Sequence, residues 1–163
     1  MTSALISALG DSRNRRIVLD SNLLVLHITA TFDPRLIARF KRTQNFSQDD
    51  ATLLAWLLDR FAGVTTTAHV MTEASNLGNS LSYIARDGWF AALADFADST
   101  PETFLSCQRL SAMDEFHIFG ITDCALWELS QEHTVLTTDG RLVSHLQAHG
   151  RRGLNFATLQ QLA

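Results

Sequence analysis

Three apolar residues that run directly into three polar residues constrain the fold of this chain more than any other stretch. Ile17-Val18-Leu19 is followed at once by Asp20-Ser21-Asn22. A short apolar run without alternation predicts a strand that is buried on both faces, as in a parallel sheet. Asp20 is therefore expected at the carboxyl end of that strand, which is the edge of an open α/β sheet where ligands bind.

A second stretch has the same pattern and lies more than a hundred residues further along the chain. In Val135-Leu136-Thr137-Thr138-Asp139, apolar residues again lead into an aspartate. Because the carboxyl ends of parallel strands lie along one edge of a sheet, two such strands predict an acidic pocket at that edge.

The remaining segments alternate between helical and strand-like patterns, which predicts a parallel sheet with right-handed crossovers. The 163 residues favour one domain. We expect a three-layer α/β/α sandwich with a four- to five-stranded, mainly parallel sheet over residues 17–163, preceded by an N-terminal extension over residues 1–16. Further strands are predicted at residues 64–67, 103–107 and 153–156. Helices are predicted at residues 23–29, 47–62, 80–97, 110–119, 123–132, 141–149 and 157–162, with others opening at Asp33-Pro34 and near Ala68.

The composition limits the possible partners and the compartment. The net charge is −4 and Lys41 is the only lysine, so contacts with nucleic acid would depend on local arginine clusters. Cys107 and Cys124 have no spacing typical of metal ligands, which favours reduced thiols in a cytosolic protein. No apolar run reaches the roughly 18 residues that a membrane span needs, and the N-terminus does not resemble a signal peptide. We therefore expect a cytoplasmic protein without a membrane anchor.

Four acidic residues occupy positions that a solvated surface does not explain. Asp20 and Asp139 end strands, whereas Glu73 and Asp123 lie near the starts of helices among apolar neighbours. Taken singly, Asp123 is more often a helix N-terminal charge and Glu73 is more often an exposed residue. Taken together, the four predict one cluster where strand ends meet helix starts.

Such a cluster needs positive charge. Each pair of carboxylates about 4 Å apart would cost roughly 4 kcal/mol at an effective dielectric constant near 20, against a total stability of about 5–15 kcal/mol. No lysine or arginine directly adjoins any of the four acids. A hard divalent cation that prefers oxygen ligands, Mg²⁺ or Mn²⁺, is therefore the expected partner.

The ordered set of these residues resembles the signatures of PIN-domain nucleases, including ribonucleases of the VapC type. The resemblance covers nearly the whole chain from Ile17 onward and includes the final strand and helix. It is carried by Asp20-Ser21-Asn22, Glu73, Gly120-Ile121-Thr122-Asp123, Thr137-Thr138-Asp139 and Gly153-Leu154-Asn155-Phe156.

The resemblance implies a metal-dependent endoribonuclease that hydrolyses RNA phosphodiester bonds and leaves a 5′-phosphate. Asp20, Glu73, Asp123 and Asp139 would be the catalytic and metal-binding acids. Asn22 and Thr138 would assist them beside the cofactor. Bacterial members of the family are often toxins held inactive by a small antitoxin, so an antitoxin and a homodimer are among the expected partners.

The arginines offer a surface for RNA phosphates. Arg35, Arg39 and Arg42 follow helical spacing after Asp33-Pro34 and are predicted to bind RNA, although a solvated helix face explains them equally well. The cluster Arg13, Arg15 and Arg16 is a second candidate. His69 lies one helical turn before Glu73, where an orienting or surface role is favoured over metal ligation.

Other enzyme classes fit the sequence less well. A haloacid-dehalogenase-like phosphatase needs a second aspartate where this chain has Asn22, and a response-regulator receiver needs a lysine on its last strand. A P-loop enzyme needs a Gly-Lys pair, which the chain lacks. A non-catalytic RNA-binding or scaffold module with the same fold remains open as an alternative.

Overall fold

The computed structural model describes residues 2–163 and contains four β-strands and nine α-helices within that range. The strands are β1 (Ile17–Leu19), β2 (Val64–Thr65), β3 (Thr134–Thr137) and β4 (Gly153–Asn155). The helices are α1 (Ser3–Leu9), α2 (Ser21–Phe32), α3 (Gln48–Leu58), α4 (Ala68–Gly78), α5 (Tyr83–Ser99), α6 (Cys107–Ser111), α7 (Phe116–Leu129), α8 (Gly140–Ala148) and α9 (Phe156–Leu162).

The four strands form one sheet in the order β2-β1-β3-β4, and every pair is parallel. The predicted α/β class and three-layer α/β/α sandwich are confirmed, with four strands rather than five. The chain moves from β1 to β2 in one direction and later returns to place β3 on the other side of β1. The carboxyl ends of β1 and β3 therefore flank the point where the connections diverge, the usual location of a ligand crevice in such sheets.

The packing of the core explains why β1 does not alternate between apolar and polar residues. Ile17, Val18 and Leu19 are all at most 2% exposed, because helices cover both faces of a parallel sheet. Helix α2 packs against α4 and α5, and the fully buried Trp89 of α5 donates a hydrogen bond from Nε1 to Thr29 Oγ1 at 3.0 Å.

The prediction that a helix begins at Asp33-Pro34 is wrong. Only a single 3-10 turn forms over Pro34–Leu36, followed by successive turns. The Asp33 carboxylate accepts hydrogen bonds from both the backbone and the side chain of Arg35. The Thr43 hydroxyl donates a hydrogen bond to the Ile37 carbonyl oxygen at 2.9 Å, and both residues are buried. This buried hydrogen bond stabilises the turns instead of a helix.

Two further predictions between residues 100 and 123 are also wrong. The strand predicted at residues 103–107 is reduced to an isolated bridge between Thr66 and Glu102, because Ser106 caps the short helix α6 instead. The helix predicted at 110–119 is replaced by α6 and the first turn of α7, whereas the helix predicted at 123–132 is present as the part of α7 that follows the break at Gly120 and ends at Leu129.

The N-terminal extension packs against the rest of the domain. Leu5 is fully buried, Leu9 is 8% exposed, and α1 contacts α9. The Thr2 hydroxyl donates to the carbonyl oxygen of Leu162, at the end of α9 that lies away from β4. Since the chain enters β1 from its amino end, this segment lies on the side of the sheet away from Asp20. Within residues 2–163, no helix combines the length and the apolar character needed to cross a membrane.

Candidate active site

Asp20 lies directly after β1 and caps α2. Its carboxylate accepts hydrogen bonds from Leu23 N at 2.7 Å, Thr137 Oγ1 at 2.5 Å and Thr138 N at 2.9 Å. Only 7% of Asp20 is exposed. Burial raises the pKa of this carboxyl, the hydrogen bonds oppose that rise, and the negative charge of Glu73 adds to it. Asp20 is thus held rigidly while its ionised form is disfavoured.

Asp139 lies at the end of the neighbouring strand and caps α8. Its Oδ1 accepts hydrogen bonds from Arg141 N at 2.7 Å and Leu142 N at 3.2 Å. Its own N–H donates to Thr137 Oγ1 at 2.9 Å, and that hydroxyl in turn donates to Asp20. The Thr137 hydroxyl therefore links the ends of β1 and β3 and fixes the spacing of the two aspartates.

Asp123 reaches the site through a break in α7. Gly120 has φ 80° and ψ −179°, outside helical geometry, and the second part of the helix starts after it. Burial raises the pKa of Asp123 to about 7, and the charges of Asp139, Asp20 and Glu73 add to the rise in that order. This dependence on the other three carboxylates places Asp123 within their common electrostatic field.

Glu73 lies on α4, whose first turn is capped by Thr67 through a hydrogen bond from Val70 N at 3.3 Å. The side chain is exposed and lines a cleft of about 430 Å³. His69, Asn76, Cys107 and Thr122 also line this cleft. Glu73 thus occupies the open side of the site, whereas Asp20 forms its floor.

His69 and Cys107 form a pair in the same cleft. The Cys107 Sγ atom lies 3.5 Å from His69 Nε2, and His69 Nδ1 is buried without a hydrogen-bond partner in the described chain. This places His69 beside Glu73, as the helical spacing predicts, with its Nε2 directed at a thiol. The pairing could not be read from the sequence because the two residues are 38 positions apart.

The two predicted helper residues differ in their roles. Thr138 is exposed and contacts Asp20 through its backbone N–H rather than through its hydroxyl. Asn22 is exposed at the start of α2, one position beyond the buried Ser21. Thr137 is the polar residue that the sequence analysis missed. Its signal was a hydroxyl in a buried strand, but strand alternation alone could not indicate whether Thr137 or Thr138 faces Asp20.

The structure does not bring the predicted RNA-binding arginines to the acids. Arg35, Arg39 and Arg42 follow α2, whose 12 residues span about 18 Å from its capped start. Arg35 is also paired with Asp33 at 2.9 Å. Arg15 donates to the Glu132 carbonyl oxygen and Arg16 to that of Val64, next to the amino ends of the strands. RNA binding by these groups stays a prediction.

An arginine beside the acids was missed. Arg141 is two residues after Asp139, and the two line one open cleft with Phe119 and His145. No basic residue is an immediate sequence neighbour of the four acids, but the helical turn that begins α8 brings Arg141 to the same surface as Asp139.

The donor set suits a hard cation. The four side chains supply carboxylate oxygens, and the Ser21 and Thr66 hydroxyls near the same sheet edge are buried without hydrogen-bond partners in the described chain. Asp20 Oδ2 accepts two hydrogen bonds, from Thr137 Oγ1 and Thr138 N, whereas Oδ1 accepts one, from Leu23 N, and retains a second lone pair for a cation. Among residues 2–163, no three His, Cys, Asp or Glu side chains are already arranged to hold a metal ion.

Comparisons with known proteins give no match: no family model, curated protein or solved structure is similar to this chain. The resemblance to PIN-domain nucleases therefore rests on the residues described above.

Proposed function

We propose that this protein is an endoribonuclease that depends on Mg²⁺ or Mn²⁺ and hydrolyses RNA phosphodiester bonds. The observation that carries the proposal is that Asp20 and Asp139 follow the adjacent strands β1 and β3 and are linked through the Thr137 hydroxyl. Asp123 belongs to the same site, since burial and then the charges of Asp139, Asp20 and Glu73 raise its pKa to about 7. Perturbed carboxylates gathered at the carboxyl edge of a parallel sheet are typical of functional sites.

Asp20, Glu73, Asp123 and Asp139 would hold the cation. When bound, a divalent ion lowers the pKa of a water molecule and offsets the negative charge that develops on the phosphate. The protein's own contribution is positional. Three hydrogen bonds fix Asp20, two fix Asp139, and the open side next to Glu73 leaves room for a phosphate chain.

The test is cleavage of a single-stranded RNA with and without Mg²⁺ or Mn²⁺, with the ends of the products analysed. We expect cleavage only with the cation and 5′-phosphate products. Asp123→Asn should abolish cleavage, whereas Asp95→Asn, at an exposed position on α5, should retain it. Wild-type protein that leaves RNA intact under all of these conditions would refute the proposal.

A second function is favoured by a specific observation. Asp20 and Asp139 both act as helix caps, a structural role that needs no catalysis. A non-catalytic RNA-binding or scaffold module would use the same fold, and it would bind RNA without metal-dependent cleavage. The cleavage test distinguishes the two functions.

A toxin role with a small antitoxin, and assembly as a homodimer, belong to the same proposal. They are supported by the resemblance alone. A neighbouring reading frame that encodes a small protein which co-purifies with this chain and inhibits cleavage would support the toxin role. A monomer by light scattering at micromolar concentration would refute the homodimer.

A further inference from the structure

An open cleft borders the acidic cluster on the side of Asp139. It is lined by Phe119, Asp139, Gly140, Arg141, Ser144 and His145. It shares no lining residue with the cleft that contains Glu73, and Asp139 is the one of the four acids that lines it. An RNA chain bound beside Asp139 would therefore contact the surface formed by Phe119 and Arg141.

Phe119 is the outermost of three packed aromatic rings, the other two being His145 and Trp127. The Trp127 and His145 rings lie 4.6 Å apart between centroids, and the His145 and Phe119 rings lie 5.1 Å apart. Trp127 is 6% exposed, and its ring is covered by the Arg151 guanidinium at 4.1 Å. Because Trp127 is buried and the half-buried His145 packs between it and Phe119, the Phe119 ring is held at the cleft and its immobilisation on binding costs little entropy.

Arg141 supplies positive charge at the same place. Its guanidinium carbon lies 5.7 Å from the centre of the Phe119 ring. Within residues 2–163, Arg141 makes no ion pair with a carboxylate, in contrast to Arg35 and Arg109. An arginine without a carboxylate partner is free to bind an anion. Its planar guanidinium group can donate two parallel hydrogen bonds to a phosphate.

We propose that Phe119 and Arg141 form a subsite for one unpaired nucleotide of an RNA chain, whose base stacks on Phe119 and whose phosphate contacts Arg141. This inference rests on the proposed function in that RNA is the ligand. Stacking on an aromatic ring requires a base that is free of its neighbours, so the subsite favours single-stranded RNA. Stacking tolerates any base because every base has a flat face.

The experiment uses the full chain and a short single-stranded RNA that carries one 2-aminopurine, whose fluorescence changes when it stacks. Binding is measured with EDTA and again with Ca²⁺ in place of Mg²⁺. Phe119→Leu keeps the apolar packing and removes the aromatic face, whereas Phe119→Tyr keeps that face. Tyr83→Ala is the matched control, because Tyr83 is 85% exposed and lies beyond the far end of α4.

We expect Phe119→Leu to weaken binding by roughly 5- to 150-fold, the range that loss of one stacked base gives, and to abolish the fluorescence change. Phe119→Tyr should restore both, and Tyr83→Ala should match the wild type. Arg141→Gln should weaken binding and lower the slope of affinity against salt by about one phosphate contact, without removing the fluorescence change.

The outcomes separate this inference from the proposed function. Binding and stacking that depend on Phe119 in a protein without metal-dependent cleavage would refute the nuclease and support the subsite. Cleavage by the wild type together with unaltered binding by Phe119→Leu would refute the subsite and leave the nuclease. Wild-type protein that binds no RNA in either condition would overturn the subsite.

Discussion

Asp123→Asn tests whether burial, together with the charges of Asp139, Asp20 and Glu73, disfavours the ionised Asp123 carboxylate. Asp20 and Asp139 are held by hydrogen bonds, whereas Asp123 has no hydrogen bond to the described chain through its carboxylate. An asparagine at this position therefore removes a charge without removing a cap. In the metal-free protein we expect the substitution to increase the free energy of unfolding.

The size of the effect follows from the pKa. A rise from 3.8 to about 7 in the folded protein corresponds to ~4 kcal/mol at ~1.4 kcal/mol per pH unit. Because Asp123 is only half-buried, solvent screening lowers this to about 2 kcal/mol. For a domain of this size, such a gain raises the melting temperature by roughly 4–8 °C.

The pH dependence has a defined sign. The folded protein binds the Asp123 proton more tightly than the unfolded chain does, so the wild type loses stability as pH rises from about 4 to about 7. Below this window the carboxyl is neutral in both states, and above it the loss is constant. The advantage of Asp123→Asn should therefore be small near pH 4 and complete above pH 7.

The assay is thermal unfolding in EDTA across this pH range, repeated with Mg²⁺ and with Asp95→Asn as the control. Because a ligand that binds only the folded state stabilises it, Mg²⁺ should stabilise Asp123→Asn less than the wild type. A mutant no more stable than the control above pH 7, or a gain that does not change with pH, would refute the raised pKa of Asp123.

Three further predictions concern stability and are measured by urea unfolding. Asp20→Ala should cost about 2–4 kcal/mol, because it removes the cap of α2 and the acceptor of the Thr137 hydroxyl; a loss under 1 kcal/mol would contradict this geometry. Leu5→Ala should cost about 2–5 kcal/mol because Leu5 is fully buried, whereas a dispensable extension would tolerate it. Gly78→Ala should cost about 1–3 kcal/mol, since its Cβ would lie 2.3 Å from the Trp89 ring, and an unchanged midpoint would show that the ring can move.

Elements that depend on local patterns were predicted well from the sequence. The buried strand before Asp20 and the capped helix after Ser47 appear where the sequence predicts them, because burial periodicity and capping are local properties. The segment after Asp33 was predicted as a helix and forms turns. The buried hydrogen bond from Thr43 to the Ile37 carbonyl oxygen stabilises that alternative, and local propensity does not report it.

In the candidate site, too, some positions were predicted from the sequence and some contacts were not. The sequence placed Asp20 and Asp139 at strand ends, and the structure confirms those positions. It did not identify the Thr137 bridge between them or the proximity of Arg141 to Phe119.

The sequence by itself determined that two buried strands carry aspartates to one edge of a parallel sheet, because hydrophobic pattern fixes burial and strand polarity fixes the edge. Only the tertiary structure decided that β1 and β3 are direct neighbours, which sets how close Asp20 and Asp139 come. It also decided, through the break at Gly120, that Asp123 shares their electrostatic field. Strand order and helix direction depend on packing between segments distant in sequence, and the energies of such contacts are not encoded in any local stretch.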